Sequence, residues 1–186
     1  SIALSYRVRA LLKRTCSSVL EAKQDRQVED ILKQAIAAHK AGNLEQAGQT
    51  YSEILSAEPD NTEALNALGI LRMQTGSPEI ALDCFERAAQ LSPNTAKYHN
   101  NVGNVRMAQE KFEAAVTAFG QAASLAPENP EFIANAATAC WRAGDSAEAE
   151  KLFLKVLTLD PGHYRANHNL GALLSQQHRL CDALPY

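Results

Sequence analysis

Thr62 to Thr95 reads TEALNALGILRMQTGSPEIALDCFERAAQLSPNT, and this stretch decides the fold. Apolar residues recur at helical spacing, first at Leu65, Leu68, Ile70 and Leu71, then at Ile80, Leu82, Phe85, Ala88 and Leu91. Gly76-Ser77-Pro78 interrupts the run, and Ser92-Pro93-Asn94 ends it. The stretch therefore predicts two short helices joined by a turn. Neither is long enough to bury its apolar face alone, so each needs another copy of the same unit beside it.

The chain supplies those copies. Blocks beginning at Val28, Thr62, Ala96, Pro130 and Tyr164 place the same residue types in the same positions. Pro59, Pro93, Pro127 and Pro161 are 34 residues apart, as are Ala47, Ala81, Ala115 and Ala149, with Ala183 next in line. Tyr51, Phe85, Phe119 and Phe153 form an aromatic series. Gly69, Gly103 and Gly171 recur in the first helix, with Ala35 and Ala137 in the other two blocks. Gly42, Gly76 and Gly144 mark the turn, where the third block carries Glu110. The small residues allow two helix backbones to approach, the aromatic fills the space beside that contact, and proline ends each second helix.

This pattern resembles the tetratricopeptide repeat family over Val28 to Pro185. The resemblance implies an all-α, right-handed α-solenoid of helix-turn-helix repeats. The expected organisation is an N-terminal basic amphipathic helix over 1–27, then a repeat domain over 28–186. Its repeats are 28–61, 62–95, 96–129, 130–163 and a partial 164–186, with a second helix beginning over Leu180 to Leu184. Arg72 and Arg106 depart from the family, which usually places an aromatic late in the first helix. Their aliphatic stems are expected to pack there with the charged heads reaching water.

Composition narrows the function. The chain has 186 residues, a net charge of -3 and 6% aromatic residues. That balance argues against a general nucleic-acid binder. No apolar run approaches the roughly 18 to 20 residues that span a bilayer, so no integral membrane segment is expected. Cys16, Cys84, Cys140 and Cys181 make no CxxC pair and no metal-ligand spacing. Cys84 and Cys140 read as small packing residues. This cysteine usage points to the cytoplasm, with the bacterial periplasm an open alternative.

The five histidines, His39, His99, His163, His168 and His178, make no HExxH motif. GxSxG and a phosphate-binding glycine loop are also absent. The reading is therefore a non-enzyme that calls for no cofactor and no metal.

Ser1 to Gln27 lies outside the repeat register. Ile2, Leu4, Val8, Leu11, Leu12, Val19 and Leu20 form a rough helical stripe, with Arg7, Arg9, Lys13 and Arg14 and no acid before Glu21. Three readings stand: a cap on the first repeat, a helix docking on another chain or in a neighbour's groove, or a targeting or membrane-surface segment. Homo-oligomerisation through this helix or through the C-terminal edge is a possible consequence.

In the family, the first helices of successive repeats line a concave groove. The resemblance places Lys33, Ala67, Asn101, Asn135 and Asn169 at one groove position. The three asparagines look like the asparagine ladder in the repeat region of O-linked N-acetylglucosamine transferases. Each amide offers both a donor and an acceptor, so such a ladder holds an extended peptide by its backbone. Other groove positions carry Glu29, Glu63, Lys97, Glu131 and Arg165; Ile36, Ile70, Asn104, Thr138 and Ala172; and Lys40, Gln74, Ala108 and Arg142. Asn104, Asn135 and Arg165 fall at three of the five places that clamp a peptide carboxylate in some members, while Asn100 and Asn169 stand near the lysine places.

The expected groove residues are thus Asn66, Lys97, Asn100, Asn101, Asn104, Asn135, Arg142, Arg165 and Asn169. The asparagines would hold backbone, and Lys97, Arg142 and Arg165 would favour acidic groups. The leading reading is a protein-interaction scaffold binding a peptide segment or partner helix in the groove. The alternatives are the substrate-recruiting arm of a larger glycosyltransferase- or sulfotransferase-like enzyme, or a self-assembly module.

Overall fold

The computed structural model describes residues 26–179, which form nine helices and no strand. The expected N-terminal helix falls almost wholly outside the described residues, as does the second helix of the fifth block. The helices are α1 (residues 26–40), α2 (Leu44–Ala57), α3 (Thr62–Gln74), α4 (Pro78–Leu91), α5 (Ala96–Ala108), α6 (Phe112–Leu125), α7 (Pro130–Arg142), α8 (Ser146–Leu159) and α9 (Tyr164–Gln176). Thr62, Ala96, Pro130 and Tyr164 each open a helix, and α1 is already helical at residue 26, ahead of Val28. The chain divides into two compact units, Ser1–Ala67 and Leu68–Tyr186, with the boundary inside α3.

Local chemistry sets the helix ends. Glu58, Ser92, Ala126 and Asp160 each precede a proline and follow the last helical residue. Their φ values run from -128° to -140° with ψ between 70° and 91°, outside the helical region. The proline that follows disfavours helical backbone at these residues and so ends each second helix. The turns within each repeat need the opposite handedness. Gly42, Gly76 and Gly144 adopt φ of 86°, 74° and 93°. Glu110 and His178 take the same left-handed conformation at φ 58° and 62°, where a Cβ is unfavourable.

In the first unit, Leu32, Ala35, Ala47, Tyr51 and Ile54 are buried between α1 and α2. The Tyr51 hydroxyl lies 3.3 Å from His39 Nδ1, which gives this buried phenol a polar partner. Asn61 caps α3: its Oδ1 accepts from the Ala64 N–H at 3.0 Å.

In the second unit α6 packs against α5 and α7, α8 against α7 and α9, and α4 against α5. The seam within a repeat is tightest where glycine meets the aromatic. A Cβ on Gly69 would stand 2.6 Å from the Phe85 ring, and one on Gly103 would stand 2.6 Å from the Phe119 ring. Phe85 and Phe119 are each only 2% exposed. One cluster joins Ile133, Ala137, Phe153 and Val156 to Leu170 and Leu173, all fully buried.

Of the two late arginines, Arg106 behaves differently from expectation. Arg106 does not send a free head to water; its guanidinium donates to Glu86 Oε1 at 2.6 Å. Its side chain is only 23% exposed. A cation this far from solvent is stabilised by a counter-charge, and α4 supplies one. At Arg72 the Nε is buried as well.

Candidate functional site

With the second helices packed behind them, the first helices touch one another directly, α5 with α7 and α7 with α9. Polar side chains fill the line of contact. Glu131 and Arg165 occupy the same position in successive repeats and form an ion pair of 2.6 Å. The same Arg165 nitrogen donates to Asn135 Oδ1 at 3.0 Å. Asn135 Nδ2 in turn donates to Asn100 Oδ1 at 2.8 Å. One chain of bonds thus runs from α9 through α7 to α5. Further along α7, Thr138 Oγ1 accepts from Asn169 Nδ2 at 3.3 Å while donating to the Ala134 carbonyl at 2.8 Å. Trp141 Nε1–H donates to Gln176 Oε1 at 3.1 Å.

The spacing on α7 explains why these residues meet. Glu131, Asn135, Thr138 and Arg142 are four, three and four residues apart, which keeps them on one helix face. Asn135 does not exhaust its amide in these bonds. A primary amide carries two N–H donors and two acceptor lone pairs, and the chain uses one of each. The ion pair beside it is more than half exposed on both sides, so the site is wet rather than sealed.

Of the nine expected groove residues, Asn100, Asn135 and Arg165 are joined by hydrogen bonds, and Asn169 is joined to α7 through Thr138. Asn135 and Asn169 are not bonded to each other. Asn101 is half-buried on α5 and Asn104 is exposed there. Lys97 is exposed, with its ammonium 5.1 Å from the centre of the Tyr98 ring. Arg142 is exposed at the end of α7, with its guanidinium 4.6 Å from the centre of the Phe112 ring. Asn66 is half-buried on the part of α3 that belongs to the first unit.

Sequence reasoning missed His163. It is buried, 6% exposed, and caps α9: its Nδ1 accepts from the Ala166 N–H at 3.1 Å. That bond leaves the ring proton on Nε2, 3.3 Å from Glu131 Oε1 but short of a well-formed hydrogen bond. Glu131 therefore sits between His163 and Arg165. A signal was available, because His163 stands 34 residues after Asn129, whose Oδ1 caps α7 by accepting from the Glu131 N–H at 3.0 Å. Phe112, the platform for Arg142, is the first residue of α6.

Burial pushes the thiols of Cys84 and Cys140 up, and the nearby carboxylates of Asp83 and Asp145 add to the effect. Such thiols are packing groups rather than nucleophiles. Among the described residues, no group of three or more His, Cys, Asp or Glu gathers in a way that holds a metal ion. No helix among them is long and apolar enough to cross a membrane.

Two family models, both described as tetratricopeptide repeat, match residues 38–102 and 101–179, together most of the chain. The chain belongs to the tetratricopeptide repeat family. Comparison with curated protein sequences gives no significant match. Among solved structures the chain is similar to MamA from Desulfovibrio magneticus RS-1, with a TM-score of 0.78 and 18% identity over 85% of this chain and 89% of that one. Pseudomonas aeruginosa PilF gives a TM-score of 0.78 and 22% identity over 87% of this chain and 74% of that one. YrrB, described as a TPR protein with an unusual peptide-binding site, gives 0.73 and 22% identity over 83% and 80%. At these identities the likeness is one of fold, the helix-turn-helix solenoid that the repeat pattern predicts.

Proposed function

We propose that this protein is a non-enzymatic protein-interaction scaffold that holds an extended peptide along the face shared by α5, α7 and α9. The observation that supports this best is the chain of bonds Arg165–Asn135–Asn100. It fixes side-chain amides on an open face while leaving donor and acceptor capacity unused. An extended peptide presents the matching groups along its backbone. Because the amides are already ordered by their neighbours, little side-chain entropy remains to be lost on binding. The family membership and the peptide-binding site named for the similar YrrB fold agree with this reading.

The test is replacement of Asn101, Asn135 and Asn169 together by alanine, with affinity for a selected peptide and helicity measured in parallel. Weaker binding at unchanged helicity is the expected result. Unchanged affinity would remove these asparagines from the binding face.

A further inference from the structure

Four cations stand on the three first helices of this face: Lys97 and Arg106 on α5, Arg142 on α7 and Arg165 on α9. They differ in what already holds them. Arg106 is paired with Glu86, and Arg165 with Glu131 and Asn135. Lys97 lies over Tyr98 and has further contacts. Arg142 is held by an aromatic ring alone, 4.6 Å above Phe112, with no carboxylate within 4.0 Å among the described residues.

That arrangement is chemically specific. Cation–π attraction holds the guanidinium over the ring face. Its N–H groups make no hydrogen bond among the described residues, and such a fork matches a carboxylate in bidentate fashion. An exposed fork, unpaired among the described residues, is what recognition of an acidic group requires. Arg165 has already satisfied that chemistry within the protein and serves to orient Asn135.

Position adds a distance. Arg142 lies seven residues after Asn135 on the same face of α7, which is about 10 Å at the helical rise. An extended chain covers about 3.3 Å per residue. We propose that Arg142 reads one acidic side chain of the bound segment, about three residues along from the peptide unit held at Asn135. This inference rests on the binding face proposed above and names the chemistry of its partner: an acidic extended peptide.

A phage-displayed library of random dodecapeptides, selected in parallel on the wild type, Arg142→Gln and Arg165→Gln, tests it. The wild type is expected to select Asp or Glu at one fixed position. Arg142→Gln should lose that preference and bind the selected acidic peptide roughly tenfold or more weakly, the scale of a charge-assisted hydrogen bond. Arg142→Lys, which keeps the charge and loses the fork, should fall between them. Arg165→Gln should bind more weakly while keeping the acidic position.

N-methyl scanning of the selected peptide against wild type and Asn135→Ala then locates the peptide unit held at Asn135. It should lie about three residues from the acid. A preference that survives in Arg142→Gln, or binders with no fixed acidic position, overturns this inference and leaves the binding face standing. A separation of one residue or of six overturns the register. Recovery of no peptide by the wild type overturns both readings together.

Discussion

The molecule has two kinds of internal surface, and they are built by different rules. The seam within each repeat is apolar and dry, with Phe119 lying on Gly103 and Phe85 on Gly69. The face shared by α5, α7 and α9 is polar and half exposed, held by Glu131–Arg165, Arg165–Asn135 and Asn135–Asn100. The seam repeats because every copy must solve the same packing problem. The face varies because its side chains are not needed to hold the repeats together. We therefore assign stability to the first surface and propose recognition for the second.

That separation can be broken by mutation. The largest effect is expected from Phe119→Ala, which removes a ring only 2% exposed. Loss of a buried phenylalanine costs about 3 to 5 kcal/mol, measurable by urea unfolding. If instead it costs little, the seam is not the source of stability. A finer contrast lies between neighbours on α5. Gly103→Val drives a side chain into the Phe119 ring and should cost about 1 to 3 kcal/mol by overpacking. Asn104→Val, one residue on and exposed, should stay within about 0.5 kcal/mol. Equal costs at the two positions would erase the distinction between seam and face.

The turns give a smaller effect of either sign. Glu110→Gly should stabilise the protein by about 1 kcal/mol, because φ is 58° there and a Cβ is unfavourable. Gly144→Ala, at φ 93°, should lose a similar amount, about 1 kcal/mol. A pair of melting curves checks both. The smallest effect is expected on the polar face. A double-mutant cycle between Glu131→Gln and Arg165→Gln should return about 1 kcal/mol or less, since both side chains are more than half exposed. A larger coupling would mean that the face also carries stability.

The seam was legible in the sequence because it is written four times. Gly69 and Phe85, Gly103 and Phe119, and the prolines from Pro59 to Pro161 each recur at the repeat length. The polar face was legible only as a set of candidates. Asn135 does not bond its counterpart Asn169; it meets Asn100, 35 residues back, and Arg165, 30 residues on. Asn169 meets Thr138, 31 residues back. Glu131 and Arg165 meet in strict register while the asparagines do not, and a single sequence does not state which neighbour each side chain reaches. Arg106 shows the same limit. Its family position suggested a head in water, but its partner Glu86 on α4 is 20 residues back, where no periodic series points.

The central claim is that recognition lies on the face of α5, α7 and α9. Titration of isotope-labelled protein with a dodecapeptide selected from the random library, followed by NMR, tests it most directly. The account predicts the largest shifts at the side-chain amides of Asn100, Asn135 and Asn169 and along the first helices that carry them. Shifts concentrated on α4, α6 and α8, with those amides unmoved, would contradict it.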